Sequence, residues 1–248
     1  MQSCERVNPY NGDRRRKSQQ VREMFDNIAP AYDFMNRAMT FGGIDKLWRR
    51  KAIRQVGNGP HRRILDIATG TGDLAIQLAR RTDAESITGI DLSEGMLAVG
   101  RQKVEKAGLQ DRITLTTGDS LQLDFPDATF DAITVAYGVR NFEDLEAGYR
   151  EMLRVLRPGG TLTVLELSTP KNPLVKPFYK AYTRWIIPAV GRLVSKDIRA
   201  YTYLPESIAA VPQREAMTSL ISKAGFEAAA YRSMTFGTCC MYIGRKPQ

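Results

Sequence analysis

The sequence predicts an α/β fold built on a mostly parallel sheet of seven strands, with an antiparallel hairpin closing its C-terminal edge. Three observations carry this expectation. From about residue 62 onward, short apolar β-like runs alternate with helical stretches, the pattern of parallel strands joined by right-handed crossovers. A glycine-containing turn separates the first run from the first helix. The last two runs stand side by side with only a short break between them.

Arg63-Ile-Leu-Asp-Ile-Ala68 reads as the first strand, and Asp73 to Arg81 as the helix after it. Ser86 to Asp91 is the second strand. The helix from Glu94 to Ala107 follows, with Met96, Leu97, Val99 and Val104 as its apolar residues. Ile113 to Thr117, Asp131 to Tyr137 and Thr161 to Leu167 are the third, fourth and fifth strands. Between the last two, a helix from about Glu143 to Leu156 ends at Arg157-Pro-Gly-Gly160, a helix stop and turn. Gln213 to Lys223 is helical and stops at Gly225; Phe226 to Arg232 and Phe236 to Ile243 form the closing pair. Residues 1–60 and 171–205 fall outside the alternation. They read as a helical N-terminal cap preceding a 61–248 domain, and as a helical lid inserted in that domain.

Composition narrows the class. A chain of 248 residues with 43% hydrophobic and 25% charged residues suits one large globular domain. No apolar run approaches the roughly 20 residues that cross a bilayer; the richest, Trp185 to Val190, is flanked by Arg184 and Arg192. Met1 to Gln20 is polar, with Arg14, Arg15, Arg16 and Lys17 but no apolar stretch behind them, so a cytoplasmic location is expected. Three cysteines, two of them the adjacent Cys239 and Cys240, make neither a disulfide framework nor a zinc site, and no metal is expected. The net charge of +9 is unevenly spread. Residues 1–63 hold 14 Lys/Arg against 6 Asp/Glu, residues 64–170 hold 10 against 17, and residues 171–248 hold 12 against 4. The basic flanks could meet nucleic acid, an anionic membrane or nothing. The acidic centre argues against a catalytic face that tracks a phosphate backbone.

Leu65-Asp-Ile-Ala-Thr-Gly-Thr-Gly-Asp73 lies between the first strand and its helix. Gly70 and Gly72 permit close approach of backbone to a ligand, at the strand end where open parallel sheets bind nucleotides. Asp91 ends the second strand, where a carboxylate can accept hydrogen bonds from both hydroxyls of a ribose. Gly118-Asp119-Ser120 follows the third strand. A dinucleotide is disfavoured, because Ala68 stands where its fingerprint wants glycine and Asp73 would repel a pyrophosphate. S-Adenosylmethionine carries a sulfonium and an ammonium and no phosphate, and it suits the acidic centre. The expected fold is then Rossmann-like, that of a class I S-adenosylmethionine-dependent methyltransferase, in which Asp119 and Ser120 hold the adenine.

Two longer stretches are more specific. Ala31-Tyr-Asp-Phe-Met-Asn-Arg-Ala-Met-Thr-Phe-Gly42 and Arg154-Val-Leu-Arg-Pro-Gly-Gly-Thr-Leu-Thr-Val-Leu-Glu-Leu-Ser168 resemble the two signatures of the quinone-biosynthesis C-methyltransferases. Tyr137-Gly-Val-Arg-Asn-Phe142 and Tyr203-Leu-Pro-Glu-Ser-Ile208 are similar to further family segments, so the likeness spans about residues 20–244. Thr40, Arg157 and Ala68 depart from the usual serine, lysine and glycine. The resemblance implies methyl transfer to the ring carbon of demethylmenaquinol, since the N-terminal stretches look bacterial; a ubiquinol precursor or another lipid-like phenol is the alternative. It also implies that Thr71, Asp91, Asp119 and Ser120 contact the cofactor, and that Ala136 and Tyr137 border the methyl donor.

Ring methylation needs an aligned donor and acceptor, exclusion of water and loss of a phenol proton. His61, the one histidine, precedes the first strand at the wrong end of the sheet and is given no catalytic part. Arg140 is expected to stabilise phenolate charge, or else to pair at the surface with Glu143 or Asp144. Asn141, Tyr32 and Asn36 would orient the quinol, or else pack and cap, with Asp33 nearby and the proton passing through water to a carboxylate. Leu174 to Lys196 mixes Val175, Phe178, Tyr182, Trp185 and Ile186 with Lys176, Lys180, Arg184, Arg192 and Lys196. This composition fits either contact with an anionic membrane or a helix packed on the domain, interrupted at Pro177 and Pro188. A homodimer is compatible with the chain. Nucleic acid is not an expected partner, because Ala136-Tyr-Gly-Val139 replaces the Asn-Pro-Pro-Tyr type of motif; a nucleic-acid methyltransferase and a silent adenosine-binding protein stand as rivals.

Overall fold

The computed structural model describes residues 4–10, 12–40, 43–57, 62–187, 189 and 199–248. Its frame is a seven-stranded sheet: β1 (Arg63–Ile67), β2 (Ser86–Asp91), β3 (Ile113–Thr117), β4 (Phe130–Ala136), β5 (Leu156–Leu167), β6 (Glu227–Met234) and β7 (Cys239–Arg245). The spatial order is β3-β2-β1-β4-β5-β7-β6. β1 pairs in parallel with both β2 and β4 (Ile64↔Ile87, Ile64↔Ala132), while β7 runs antiparallel to β5 and β6. Strand order therefore reverses between β1 and β4, and the crevice outside their carboxyl ends is where such sheets bind ligands.

The near-continuous apolar strands are explained by helices covering both faces. On one face Leu65, Ile67, Ile133 and Val135 pack with Tyr149 and Met152 of α6 (Leu145–Val155) and with Met217 and Ile221 of α9 (Glu215–Lys223). On the other, Ile64, Ile87 and Ala132 meet Leu74 and Leu78 of α4 (Asp73–Arg81) and Leu97 and Val104 of α5 (Glu94–Lys106). Ser93 and Asp144 fix the starts of α5 and α6 by accepting from Met96 N–H and Ala147 N–H at 3.1 and 2.8 Å.

Boundaries shift at two strands: the strand expected from Phe236 starts at Cys239, after the 3-10 turn Thr235–Gly237, and β5 starts before Thr161. Helix α6 does end before Arg157-Pro-Gly-Gly160, yet that stretch is part of β5 rather than a separate turn. Pairing jumps from Phe130↔Leu156 to Ala132↔Thr161, with Gly159 at φ 72° in the irregular stretch between. Arg157 Nη1 donates to Asp131 Oδ1 at 2.6 Å and ties the irregularity to β4.

Among the described residues the remaining α-helices are α1 (Lys17–Ile28), α2 (Tyr32–Met39), α3 (Ile44–Val56), α7 (Lys176–Ala181), which continues as a π-helical stretch Tyr182–Ile186, and α8 (Arg199–Ala210). Val21, Met24, Ile28 and Met35 from the N-terminal helices form one apolar cluster with Ile187, Tyr201 and Tyr203. The N-terminal and inserted segments thus pack on each other above the sheet's carboxyl end. Helix α8 passes through Pro205 and overruns the expected boundary there. His61, Phe41, Gly42, Pro188 and residues 190–198, including Arg192 and Lys196, lie outside the described residues. Among the described residues no helix is long and apolar enough to cross a membrane.

Candidate active site

The loop after β1 turns through three left-handed residues: Ala68 (φ 53°), Gly70 (57°) and Gly72 (75°). A Cβ added to Gly70 would meet no protein atom, so the space beside it is open to a ligand. Ala68, in place of the usual glycine, is accommodated by a glycine opposite: a Cβ on Gly138 would lie 2.5 Å from the Ala68 methyl. Asp91 Oδ2 accepts Gly70 N–H at 2.8 Å and Oδ1 accepts Ser93 N–H at 2.9 Å, which locks the end of β2 to the loop. Burial raises the Asp91 carboxyl above the usual carboxylate range, against these two hydrogen bonds.

A cleft opens here. Of the residues expected from sequence, Gly70, Asp91, Asp119, Ser120, Ala136, Tyr32 and Asn141 border it. Its charged lining is Asp91, Asp119 and Glu143 against Arg22, an acidic balance. Thr71 and Gly72 are not part of the lining. Thr71 is buried and turned away, with Oγ1 donating to Asp33 Oδ1 at 2.6 Å and accepting from Lys103 Nζ at 3.0 Å. Lys103 Nζ also donates to Asp33 Oδ2 at 2.7 Å and to Asp73. A second carboxylate from the N-terminal helices, Asp26, accepts Ser93 Oγ–H at 2.6 Å and Gly95 N–H at 2.9 Å. Helix α5 is thereby held from both ends by α1 and α2, and the same helices wall the cleft with Phe25 and Tyr32.

Beyond that wall lies an apolar cavity of about 580 Å³. It is walled by α1, α2, α3, α7, the π-helical stretch, α8 and the turn between β6 and β7, with Asp45, Arg49 and Arg140 as its charged residues and Asn36 as its amide. Phe25, Tyr32 and Tyr137 border both spaces, so cleft and cavity meet across them. Asn36 lines the cavity, and its carbonyl accepts from Thr40 N–H and Oγ–H at 3.0 and 2.7 Å. Asn141 Oδ1 accepts Tyr203 O–H at 3.0 Å, tying the segment after β4 to α8.

Arg140 is not a surface residue. It is 6% exposed, with Nη1 donating to Glu166 Oε1 at 2.9 Å and to the Tyr137 carbonyl. Its N–H reaches Glu166 Oε2 at 3.2 Å. Burial works against its charge, Glu166 restores it, and the balance leaves the guanidinium more firmly protonated than usual. The alternative partners are engaged elsewhere: Glu143 accepts Ser18 N–H at 2.6 Å, and Asp144 caps α6. Glu166 had a signal, lying inside the second signature stretch, but nothing local tied it to Arg140. Asp45, Trp48 and Arg49 likewise belong to the N-terminal segment without having been singled out.

The model of the ubiE/COQ5 methyltransferase family matches residues 13–246. The demethylmenaquinone methyltransferase of Bacteroides fragilis is 48% identical over 242 residues, covering 98% of each chain. The ubiquinone/menaquinone biosynthesis C-methyltransferase UbiE of Geobacter sulfurreducens is 44% identical over 231 residues, 93% of this chain and 90% of that one. Among solved structures, Haemonchus contortus phosphoethanolamine N-methyltransferase 2 in complex with S-adenosyl-L-methionine superposes with a TM-score of 0.62 at 18% identity, covering 84% of this chain and 53% of that one. This last likeness is one of fold. With motif, cleft geometry and near full-length similarity in agreement, the chain belongs to the ubiE/COQ5 methyltransferase family.

Proposed function

We propose that the protein transfers a methyl group from S-adenosylmethionine to a ring carbon of demethylmenaquinol in menaquinone biosynthesis. The observation that carries this reading is the junction at Tyr32 and Tyr137, where a carboxylate-lined cleft at the strand ends opens onto a large apolar cavity. The cleft's lining fits the cofactor. Three carboxylates against one guanidinium favour a sulfonium and an ammonium over a pyrophosphate, and Gly70 leaves room for close approach. S-Adenosylmethionine, when bound, supplies an electrophilic methyl. Asp91 accepts from the ribose hydroxyls, Asp119 and Ser120 face the adenine, and Ala136 borders the methyl group. Thr71 and Gly72 shape the loop, Thr71 acting through Asp33 rather than by touching the cofactor.

The quinol ring occupies the apolar cavity, a volume in the range of small-molecule sites. Tyr32, Asn36 and Asn141 orient it at the junction, and the Arg140–Glu166 pair fixes the backbone at Tyr137 where the two spaces meet. Asp45, a carboxylate lining the cavity, receives the phenol proton through water. The prenyl tail stays in the bilayer, with the exposed apolar and basic residues of α7 resting on its surface.

Quinone mass spectrometry of cells lacking this protein tests the reading. A quinone lighter by one methylene should accumulate, and purified protein with labelled S-adenosylmethionine should convert it to the mature species. An unchanged quinone profile, together with no label transfer to demethylmenaquinol, would overturn it.

A further inference from the structure

Among the described residues, two guanidinium groups line the apolar cavity, and each has a buried Nε–H without a partner. They differ at the fork: Arg140 Nη1 donates to Glu166 and to the Tyr137 carbonyl. Arg49, on α3, is 7% exposed, and its Nε is buried with no hydrogen-bond partner. Its Asp45 and Asp73 neighbours stand 3.8 and 3.9 Å away as ion pairs without hydrogen bonds. Asp73 accepts from Lys103, and Asp45 Oδ1 lies 3.1 Å from Thr40 Oγ, whose one proton it shares with the closer Asn36 carbonyl. Arginine carries five donors in a rigid fork, and a buried Nε–H without an acceptor is unfavourable. Placement matters as much as pairing. The Arg49 guanidinium carbon lies 5.6 Å from the centroid of the Tyr137 ring, and Tyr137 borders both cleft and cavity. The fork is therefore held beside the junction where methyl donor and acceptor must meet.

We propose that Arg49 receives the developing phenolate oxygen of the quinol and so makes the ring carbon nucleophilic. This rests on the quinol reading above. In the balanced step, the ring O–H bond breaks and its proton goes through water to the Asp45 carboxylate. Negative charge on oxygen is met by the Arg49 fork, and electron density moves to the adjacent ring carbon. That carbon bonds to the methyl group as the carbon–sulfur bond breaks, its electron pair staying on sulfur. The methylated carbon then loses its own proton as the ring regains aromaticity and the oxygen is reprotonated from Asp45. One proton is released overall, and no oxidant or reductant is needed. Arg140, already charge-paired, keeps the backbone at Tyr137 in place. The ionisable groups coupled to the Arg49 charge include Tyr32, Asp45, Asp66, Asp73 and Tyr137.

The test reads the ionisation of a bound phenol directly. A 3-prenyl-1-naphthol, whose hydroxyl adjoins the carbon that would accept the methyl group and whose anion has its own near-ultraviolet absorbance, is titrated in complex with the protein and S-adenosylhomocysteine. In the wild-type complex the naphthol should ionise at least about one pH unit lower than in Arg49→Met. Turnover of demethylmenaquinol should fall about a hundredfold in that variant, the scale seen when one oxyanion donor is removed, with S-adenosylhomocysteine affinity unchanged. Arg49→Lys keeps the charge without the fork and should lie between them; it carries the same test if the methionine variant does not fold. A bound naphthol that titrates identically in the wild type and the Arg49 variants overturns the inference, as does a shift lost in Arg140→Ala and kept in Arg49→Met. Failure of the wild-type protein to bind the naphthol or methylate any quinol would instead bring down the quinol reading itself.

Discussion

At the scale of single residues, Asp66 shows how the cofactor loop is braced from beneath. It sits in the middle of β1, buried, with Oδ1 accepting from Thr134 Oγ–H at 2.6 Å and Oδ2 accepting from Thr69 Oγ–H at 2.7 Å. Burial pushes its carboxyl up to about 6, and the two hydroxyls only partly offset that. The folded protein therefore holds this proton more tightly than the unfolded chain, where the group titrates near 3.8. Its contribution to stability is fully present below pH 3.8 and is lost as pH rises through 6. The loss amounts to about 3 kcal/mol at most, taking 1.36 kcal/mol per pH unit. Asp66→Asn removes the titrating group while keeping an acceptor and a donor for the two hydroxyls. Urea unfolding of the two proteins between pH 4 and pH 7 should show the wild type losing stability relative to the variant across that interval. Parallel curves would mean that Asp66 does not titrate in the folded protein. The same low-dielectric setting raises Asp91, so a cation in the cleft favours its ionised form.

At the scale of elements, α5 is the part on which the N-terminal helices dock. Asp26 reaches its amino end through Ser93 and Gly95, and Asp33 reaches Lys103 farther along. The Asp33–Lys103 pair also holds Thr71, so the position of α2 and the shape of the cofactor loop are linked. Lys103→Met should loosen α2 from the loop. The expected result is about a tenfold faster release of S-adenosylhomocysteine in stopped-flow displacement. The melting temperature should change little, because a partly exposed ion pair contributes only about 1 kcal/mol or less. A release rate equal to wild type would show that α2 does not gate the cleft. These contacts also mark the limit of what could be read from the chain. Strands β2 and β3 and helix α4 were legible to the residue, because period and capping are local signals. Asp91 at a strand end and glycines in a turn were legible for the same reason. The inward turn of Thr71 toward Asp33, the burial of Arg140 on Glu166, and the approach of Arg49 to Tyr137 join residues 38, 26 and 88 positions apart. Such pairings leave no periodic trace. The start of β5 was obscured for another reason, since Pro-Gly-Gly spells a turn in isolation and only pairing with β4 makes it strand.

At the scale of the whole molecule, the uneven charge and the cavity's lining point to one segment. The cavity wall includes Val175, Phe178, Tyr179 and Ile186 from α7 and its π-helical continuation. On the same segment Leu174, Phe178 and Trp185 are 78%, 77% and 69% exposed, interspersed with Lys176, Lys180 and Arg184. Exposed apolar side chains of this size on a basic helix suit the interface of an anionic bilayer. Burying one of them there contributes about 2 kcal/mol, and each nearby Lys or Arg adds about 1 kcal/mol at an anionic surface. The protein should therefore sediment with vesicles containing phosphatidylglycerol and remain in solution beside pure phosphatidylcholine. Trp185 is outside the cavity lining, which separates adsorption from chemistry. Trp185→Ala should weaken vesicle binding about thirtyfold, the equivalent of those 2 kcal/mol. It should slow methylation of vesicle-embedded long-chain quinol and leave methylation of a short-chain, water-soluble quinol unchanged. Raising the salt concentration should weaken adsorption by both proteins, because the charge contribution is screened within a Debye length. If Trp185→Ala partitions as the wild type does, or if lipid charge makes no difference, the basic apolar face of α7 has some other use, and the tail must reach the cavity without the helix resting on the membrane.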